Sequence, residues 1–380
     1  MRNAKIYITL MSSLYMHIPF CVSICDYCDF SAIAAPERLH EEYVGLVLRE
    51  LELREGLKNL ETVYLGGGSP SALSIKNLRC LLVGLQKQDL KIDELKEYSM
   101  EWNPEEVNDE KIQLALDFGI NRFSLGVQSL NDSLLKMLGR RHSAKTALAA
   151  FDKLNHAFST GSADLMFCLP NQSTEDFLSD VKSFVSLGAK HISFYGMTLE
   201  NHSSLQQQIR KKKILSPPED LYPEMYLCAA EILESAGMER YEISNFAKPG
   251  HESKHNSVYW QRKPYMGAGP SAHSYLQGIR YSTPRNYLPW ARWVKNGCPK
   301  SGLTQDIPSE KGREIEAVWL ALRTREGLSL SGYEHEFGKK FSLEKAEPFI
   351  KKQWLTINEG RLQLKTSGLL WLDKIILKIL

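Results

Sequence analysis

Six short apolar runs alternate with longer amphipathic stretches between Leu14 and Thr198, and this alternation constrains the fold more than any other feature. The runs are LYMHI, TVYLGGG, EYSMEWNP, RFSLGVQS, SADLMFCLP and HISFYGMT. Between them, ERLHEEYVGLVLRELELREGL sets Leu39, Tyr43, Leu46, Val47 and Leu51 at three- and four-residue spacing, with Glu50 as a polar interruption. SIKNLRCLLVGLQ, NDEKIQLALDFG and STEDFLSDVKSFVSLG continue the helical pattern. Asn108 and Ser173 precede acidic first turns, and Gly119 and Gly188 close their helices. Repeated strand-then-helix units predict an α/β chain with a parallel sheet, most simply a partial (β/α) barrel.

In such a barrel, chemistry sits on the loops that follow the strands. The unusual residues obey that rule. A cysteine loop follows the first run, Gly66-Gly67-Gly68 the second, Glu101 and Gln128 end the third and fourth, and Pro170 follows the fifth. The loop, CVSICDYC, puts Cys21, Cys25 and Cys28 within eight positions. A closed zinc site needs four ligands, and His17 would complete a Cys3His set. That histidine sits on the preceding strand, and there is no second, separated ligand pair. A [4Fe–4S] cube on three cysteines instead leaves one iron open to a ligand, and the spacing favours it over zinc.

Bulk properties narrow the rest. The 380 residues carry 47 basic and 45 acidic side chains, a net charge of +2, which gives no reason to expect a nucleic-acid partner. No apolar run reaches the eighteen or so residues that span a bilayer. The first residues lack the pattern of a signal peptide, and the start, at Met1 or Met11, stays open. Seven cysteines, three clustered and the rest scattered, are not a disulfide framework, so a reducing cytoplasm is expected. The reading divides the chain into a tail (1–13), a barrel (14–235), an extension (236–300) and a C-terminal helical domain (301–380). In the last, two short strands flank Glu359-Gly360 before a helix, which reads as a winged-helix-like α+β module.

The CxxxCxxC loop after a first strand resembles the radical S-adenosylmethionine (SAM) superfamily. The resemblance implies a [4Fe–4S] cluster on Cys21, Cys25 and Cys28. Its open iron chelates the amino and carboxylate groups of S-adenosyl-L-methionine, and one-electron reduction can cleave SAM to a deoxyadenosyl radical. Tyr27 stands where the family places an aromatic beside the adenine. Gly67, Gly68 and Ser69 match the segment that meets the methionine ammonium, with Ser69 where Thr is usual. Glu101, Gln128, Arg140 and Asp164 match the remaining SAM positions, and Tyr15 also matches. Arg140 suits the carboxylate, and the acids and the amide suit the hydroxyls and the ammonium. Gly196 and the GAGPSAHS segment, His273 included, are expected near the same pocket. Cys168 departs from the family, which has glycine there.

YMHIPFCVSICDYCDF, GGGSP, GVQSLND and HNSVYW together resemble the oxygen-independent coproporphyrinogen III dehydrogenase family and its HemW-type heme chaperone branch. Phe30 stands where the dehydrogenases carry a further cysteine, and only about a dozen residues precede the first strand; both favour the chaperone branch. That branch implies heme or porphyrin as ligand, delivery to apo-hemoproteins such as respiratory enzymes, and His255 as an axial heme ligand. The enzyme alternative is oxidative decarboxylation of coproporphyrinogen III in porphyrin biosynthesis. The C-terminal helices are expected to help cover the heme or substrate side of the barrel. The electron donor, membrane-associated recipients and a homodimer stay open.

Overall fold

The computed structural model describes residues 12–54, 59–88, 90–197, 203–218 and 220–380. The candidate starts at Met1 and Met11, and Thr198 at the end of the sixth run, lie outside the described residues.

The alternation read from the sequence folds as expected. Strand β1 (Ser13–Ile18) is followed by helix α1 (Glu37–Arg54), β2 (Thr62–Gly67) by α2 (Ile75–Gln86), and β3 (Glu97–Trp102) by α3 (Asp109–Asp117). After β4 (Arg122–Gln128) come two helices that the sequence reading had not singled out, α4 (Asp132–Met137) and α5 (Ala144–Ala157). Each has a side-chain cap at its start: Asn131 Oδ1 accepts from Ser133 and Leu134, and Ser143 Oγ from Thr146. Then come β5 (Thr160–Phe167), α6 (Thr174–Ser186), β6 (His191–Gly196), α7 (Ser204–Arg210) and α8 (Leu221–Ser235). The six strands pair in parallel, each with its sequence neighbour, in the order β1 to β6.

Later segments extend this sheet at both edges. Strands β7 (Glu239–Glu242) and β8 (Asn245–Ala247) form an antiparallel pair whose second strand adds to β6. Helix α9 (Lys254–Trp260) carries HNSVYW, and β9 (Met266–Ala268) then pairs in parallel with β1. Sequence periodicity missed these additions because runs of three or four residues carry too little pattern. A small antiparallel sheet follows, made of β10 (His273–Leu276), β11 (Ile279–Ser282) and, beyond α10 (Tyr287–Lys295), β12 (Thr304–Asp306).

Glu50, read as a polar interruption of α1, is fully buried. Its carboxylate pairs with Arg54 at 2.7 Å and accepts from Gly269 N and Trp290 Nε1, both at 2.9 Å. A buried acid is tolerable only with such partners. Glu50 thereby ties α1 to the GAGP turn and to α10.

The C-terminal module runs α11 (Glu310–Arg323), β13 (Leu328–Ser329), α12 (Leu330–Phe337), α13 (Leu343–Lys351), β14 (Leu355–Asn358), β15 (Arg361–Leu364) and α14 (Leu372–Ile379). The hairpin turns at Glu359-Gly360, both at positive φ, and β13 adds a third strand beside β15. Helix, strand, two helices and a hairpin make the expected winged-helix-like order. Arg323 of α11 reaches Glu242 of β7 at 2.6 Å and docks the module on the sheet.

Candidate functional site

The cysteine loop leaves β1 and is pinned by backbone bonds from three directions. Cys21 N donates to Ile33 O (3.1 Å), Asp26 N to Leu138 O (3.0 Å), and Leu205 N to Asp26 O (2.8 Å). The loop rims a cavity of about 400 Å³ that opens at the C-terminal ends of the strands and runs down the barrel interior to Arg122, His191, Ser253 and Asn256. Cys21, Cys25, Cys28, Tyr27, Gly67, Gly68, Ser69, Glu101, Gln128, Arg140 and Asp164 all line it, so eleven residues spread over 144 positions of sequence converge on one space.

Each wall is set by its own chemistry. Gly67 N donates to Glu101 Oε2 (3.0 Å), and Tyr64 donates to Glu101 Oε1 (2.8 Å). Burial pushes the Glu101 carboxyl up to about 7, with the nearby Asp164 adding to the rise. Asp164 is raised by burial too, against hydrogen bonds from Ser124, Ser193 and Ser162. Gly67 has φ +113, and Gly68 passes so close to the first strand that a Cβ there would lie 2.7 Å from Phe20 O. The Ser69 hydroxyl is committed to Glu106 (2.7 Å), an acid the sequence reading did not select; Glu106 also accepts from Ser71 and so anchors the glycine segment.

Arg140 leans on the cysteine loop, Nη1 lying 3.6 Å from Cys25 Sγ, while Nη2 donates to Gly126 O and Asn103 Oδ1. Gln128 adopts φ 66 at a break in the β4–β5 register. Its Oε1 and Arg140 Nε are buried with no hydrogen-bond partner among the described residues. A strained residue and two orphaned polar atoms around one cavity mark a place built for a polar ligand. Burial and the neighbouring thiols push Cys21 up to about 12, and burial raises Cys28. Thiols held up, as Cys21 and Cys28 are, become thiolates most readily beside a cationic centre.

His17 does not complete a zinc site. Its Nδ1 bonds Tyr15 Oη (3.0 Å) and its Nε2 bonds Ser31 O (2.9 Å), so both ring nitrogens are used. Among the described residues no three His, Cys, Asp or Glu side chains converge as a single-ion site requires. Cysteines that bind different irons of a cube need not converge on one point.

Four expectations about site residues are corrected. Tyr15 does not line the cavity; it is one layer back, bonded to His17 and packed 6.1 Å from Tyr64. Gly196 faces the Tyr222 ring and lines a separate groove, because β6 ends by turning toward α8. The GAGPSAHS segment spends its donors on Glu50 and Ser274, and His273 is exposed on β10 rather than in the cavity. His255 is fully buried, its Nδ1 bonded to Thr62 Oγ1 and its Nε2 to Tyr259 Oη, both at 2.8 Å. No nitrogen is free for an axial bond to iron. Thr62 is the first residue of β2, so His255 lies at the opposite end of the strands from the cysteine loop, roughly 16 Å away at strand rise. Glu97, first in β3, accepts from Ser253 Oγ and from the Lys254 and His255 amides, so HNSVYW closes the barrel floor. Sequence spacing could not tell floor from rim for a helix so far along the chain.

Cys168 has φ 55, the left-handed conformation that glycine adopts at least cost, which accounts for the family's glycine there. Its thiol packs under the site, 3.9 Å from Met225 Sδ.

Comparison with known proteins agrees with this geometry. Residues 15–184 match the radical SAM superfamily, and residues 314–371 match the HemN C-terminal domain. A heme chaperone HemW of Lactococcus lactis is 36% identical, covering 94% of this chain and 94% of its own length. The Bacillus subtilis heme chaperone HemW is 33% identical over 90% of each chain. The structure of Escherichia coli coproporphyrinogen III oxidase (HemN), a radical SAM enzyme, superposes with a TM-score of 0.84 at 20% identity, covering 100% of this chain and 92% of that one. By full-length similarity, cysteine loop and barrel together, the chain belongs to the HemW heme chaperone family of the radical SAM superfamily.

Proposed function

We propose that this protein is a cytoplasmic heme chaperone that holds a [4Fe–4S] cluster and SAM and passes heme to apo-hemoproteins. The observation that carries the cofactor reading is the single cavity that brings three thiols, a glycine segment, two buried carboxylates and unpartnered polar atoms together. The similarity of the whole chain to HemW proteins supports heme as cargo.

Cys21, Cys25 and Cys28 would ligate the cluster, which when bound supplies an open iron for SAM and a route for one electron. The chain's own residues bind and orient. Arg140 offers a cation for the methionine carboxylate. Glu101, fixed by Tyr64 and Gly67, would take the methionine ammonium. Asp164 and Gln128, which line the same cavity, would take polar groups of the nucleoside, and Tyr27 would offer its ring to the base. Ser69 and Glu106 keep the glycine segment in place rather than touching SAM through the Ser69 hydroxyl.

The test is anaerobic reconstitution followed by metal and sulfide analysis, ferric heme titration and transfer to an apo-hemoprotein. Iron and sulfide near four each per chain, a heme spectrum and activation of the recipient are expected. Stoichiometric zinc without sulfide would end the cofactor reading. Formation of protoporphyrinogen IX from coproporphyrinogen III with SAM and reductant would replace the chaperone by the dehydrogenase.

A further inference from the structure

Arg122 is the only lysine or arginine that is buried among the described residues, and it forms no ion pair with any of them. Buried carboxylates elsewhere are matched: Glu50 pairs with Arg54, Glu242 with Arg323, and Glu314 with Lys311 and Lys339. Arg122 Nη1 donates to two neutral oxygens, Thr160 Oγ1 (3.1 Å) and His251 O (3.0 Å), while Nη2 and Nε donate to no described residue. A buried arginine is normally paired, because taking an unmatched cation out of water is costly.

This residue starts β4 and lines the lower end of the cavity with Ser162, His191, Ser253 and Asn256. Glu97 and Asp164, the acids of this part of the barrel, are engaged elsewhere. Glu97 accepts from Ser99 Oγ, Ser253 Oγ and the Lys254 and His255 amides. Asp164 accepts from Ser124 and Ser162, and it stands about 13 Å farther along β5, at strand rise, than Thr160, the pairing partner of Arg122. Two more polar groups of the same wall are unused. The Asn256 side-chain amide bonds to no described residue, its backbone N–H alone being taken, by Ser253 Oγ. His191 Nε2 bonds Tyr241 Oη (2.7 Å), but its Nδ1 is buried with no partner among the described residues.

A guanidinium with a free edge presents N–H donors to a planar oxyanion, and a carboxamide adds a donor beside it. We propose that the lumen floor binds a small planar oxyanion, a carboxylate or bicarbonate, through Arg122 and Asn256. The ion enters from the mouth and neutralises the buried guanidinium. HNSVYW then serves two purposes: His255 fastens the floor, and Asn256 meets the ligand. The site lies below the space assigned to SAM and requires neither cluster nor heme, so its failure would leave the chaperone reading untouched.

The experiment uses anaerobic full-length protein without SAM, at constant ionic strength made up with sodium chloride. Sodium formate is titrated in one arm and sodium bicarbonate in the other, read by carbon-13 NMR of the labelled anion and by thermal unfolding. At least one anion should bind the wild type and raise its unfolding temperature, and the tighter arm names the source. Arg122→Met keeps the buried stem and removes the charge. It should weaken that anion by about tenfold or more, the worth of a charge-assisted hydrogen bond. Asn256→Asp sets a carboxylate of the chain's own on the floor and should weaken the anion likewise, which keeps the test decisive if Arg122→Met fails to fold. A wild type that responds to neither anion beyond chloride holds only water there and overturns the site. So does either variant if it folds and binds the anion as tightly as the wild type.

Discussion

Replacing His255 by alanine separates a floor histidine from an iron ligand. The substitution removes the hydrogen bonds to Thr62 and Tyr259 and a ring stacked on Tyr64, 5.1 Å between centroids. Thr62 keeps its bond to Ser13 Oγ, but Tyr259 Oη loses the partner it has here. One orphaned buried hydroxyl costs about 1–3 kcal/mol. The space left by the ring raises the total to about 3–5 kcal/mol, in the range of other large-to-small core changes. Acid adds a second signature. Burial lowers His255 to about 3, whereas an unfolded histidine titrates near about 6.5. Its folded pKa is depressed, so the stability tied to the neutral ring is complete above about pH 6.5 and is lost as pH falls toward the folded value. From pH 6.5 to 5 that loss is about 2 kcal/mol. Urea unfolding under nitrogen at pH 7 and pH 5 reads both numbers. The wild type should exceed His255→Ala by about 3–5 kcal/mol at pH 7, and the gap should shrink by about 2 kcal/mol at pH 5. Equal stability at pH 7, together with a lost axial ligand in the heme spectrum, would refute the floor assignment and restore His255 to the iron.

Three further outcomes follow from the site. Glu101 is held near pH 7 by burial, so meeting the SAM ammonium should drive off its proton. Calorimetry in buffers of different ionisation enthalpy should find proton release at pH 6.5 that fades by pH 9 and is absent in Glu101→Gln. Gly68→Ala would place a methyl against backbone at Phe20 and Ile18 that cannot move aside, so iron content and SAM affinity should both drop at least tenfold by metal analysis and equilibrium dialysis. Glu50→Ala removes the carboxylate partner of Arg54, which keeps Gly267 O and Ser274 Oγ, and frees two buried donors, Gly269 N and Trp290 Nε1, so thermal unfolding should report a loss of about 2–4 kcal/mol without loss of iron per folded chain.

The barrel and the cysteine loop were legible in the sequence because both are local patterns. Strands of six to eight residues and helices with caps at Asn108 and Ser173 announce themselves within a short window. Three cysteines in eight positions need no tertiary knowledge. Glu101 and Gln128 were legible because a parallel strand ends its sequence run and its spatial course together, whereas Asp164, in the middle of β5, came only from the family resemblance. Tyr15 was misplaced by a single layer, because alternation along a strand does not say whether a half-buried ring meets the lumen or a neighbour. Gly196, GAGPSAHS and the His255 of HNSVYW lie elsewhere for a larger reason, although Asn256 of the same motif does line the cavity. Gly196 ends the sixth strand and the other two follow it, where the chain stops repeating and returns to the floor and edges. There a residue's end of the barrel is set by long-range pairings such as β9 on β1, which no window of sequence contains.

The floor and the rim are nonetheless joined by a short line of contacts. His255 stacks on Tyr64, Tyr64 donates to Glu101, and Glu101 holds Gly67 N. Each step fixes the next by packing or by a buried hydrogen bond, and such contacts lose strength steeply with small displacements. A histidine buried at the floor can therefore govern how well the glycine segment meets a cofactor. This gives HNSVYW a functional consequence without an iron bond. It also means that a weakened heme or SAM response in a His255 variant does not identify a ligand. Tyr64→Phe supplies the control: it keeps the stack on His255 and cuts the line at Glu101. If SAM binding weakens alike in Tyr64→Phe and His255→Ala, while the bound-heme spectrum stays that of the wild type in both, the histidine acts through this line. A Tyr64→Phe protein that binds SAM as the wild type does would show that the line carries nothing.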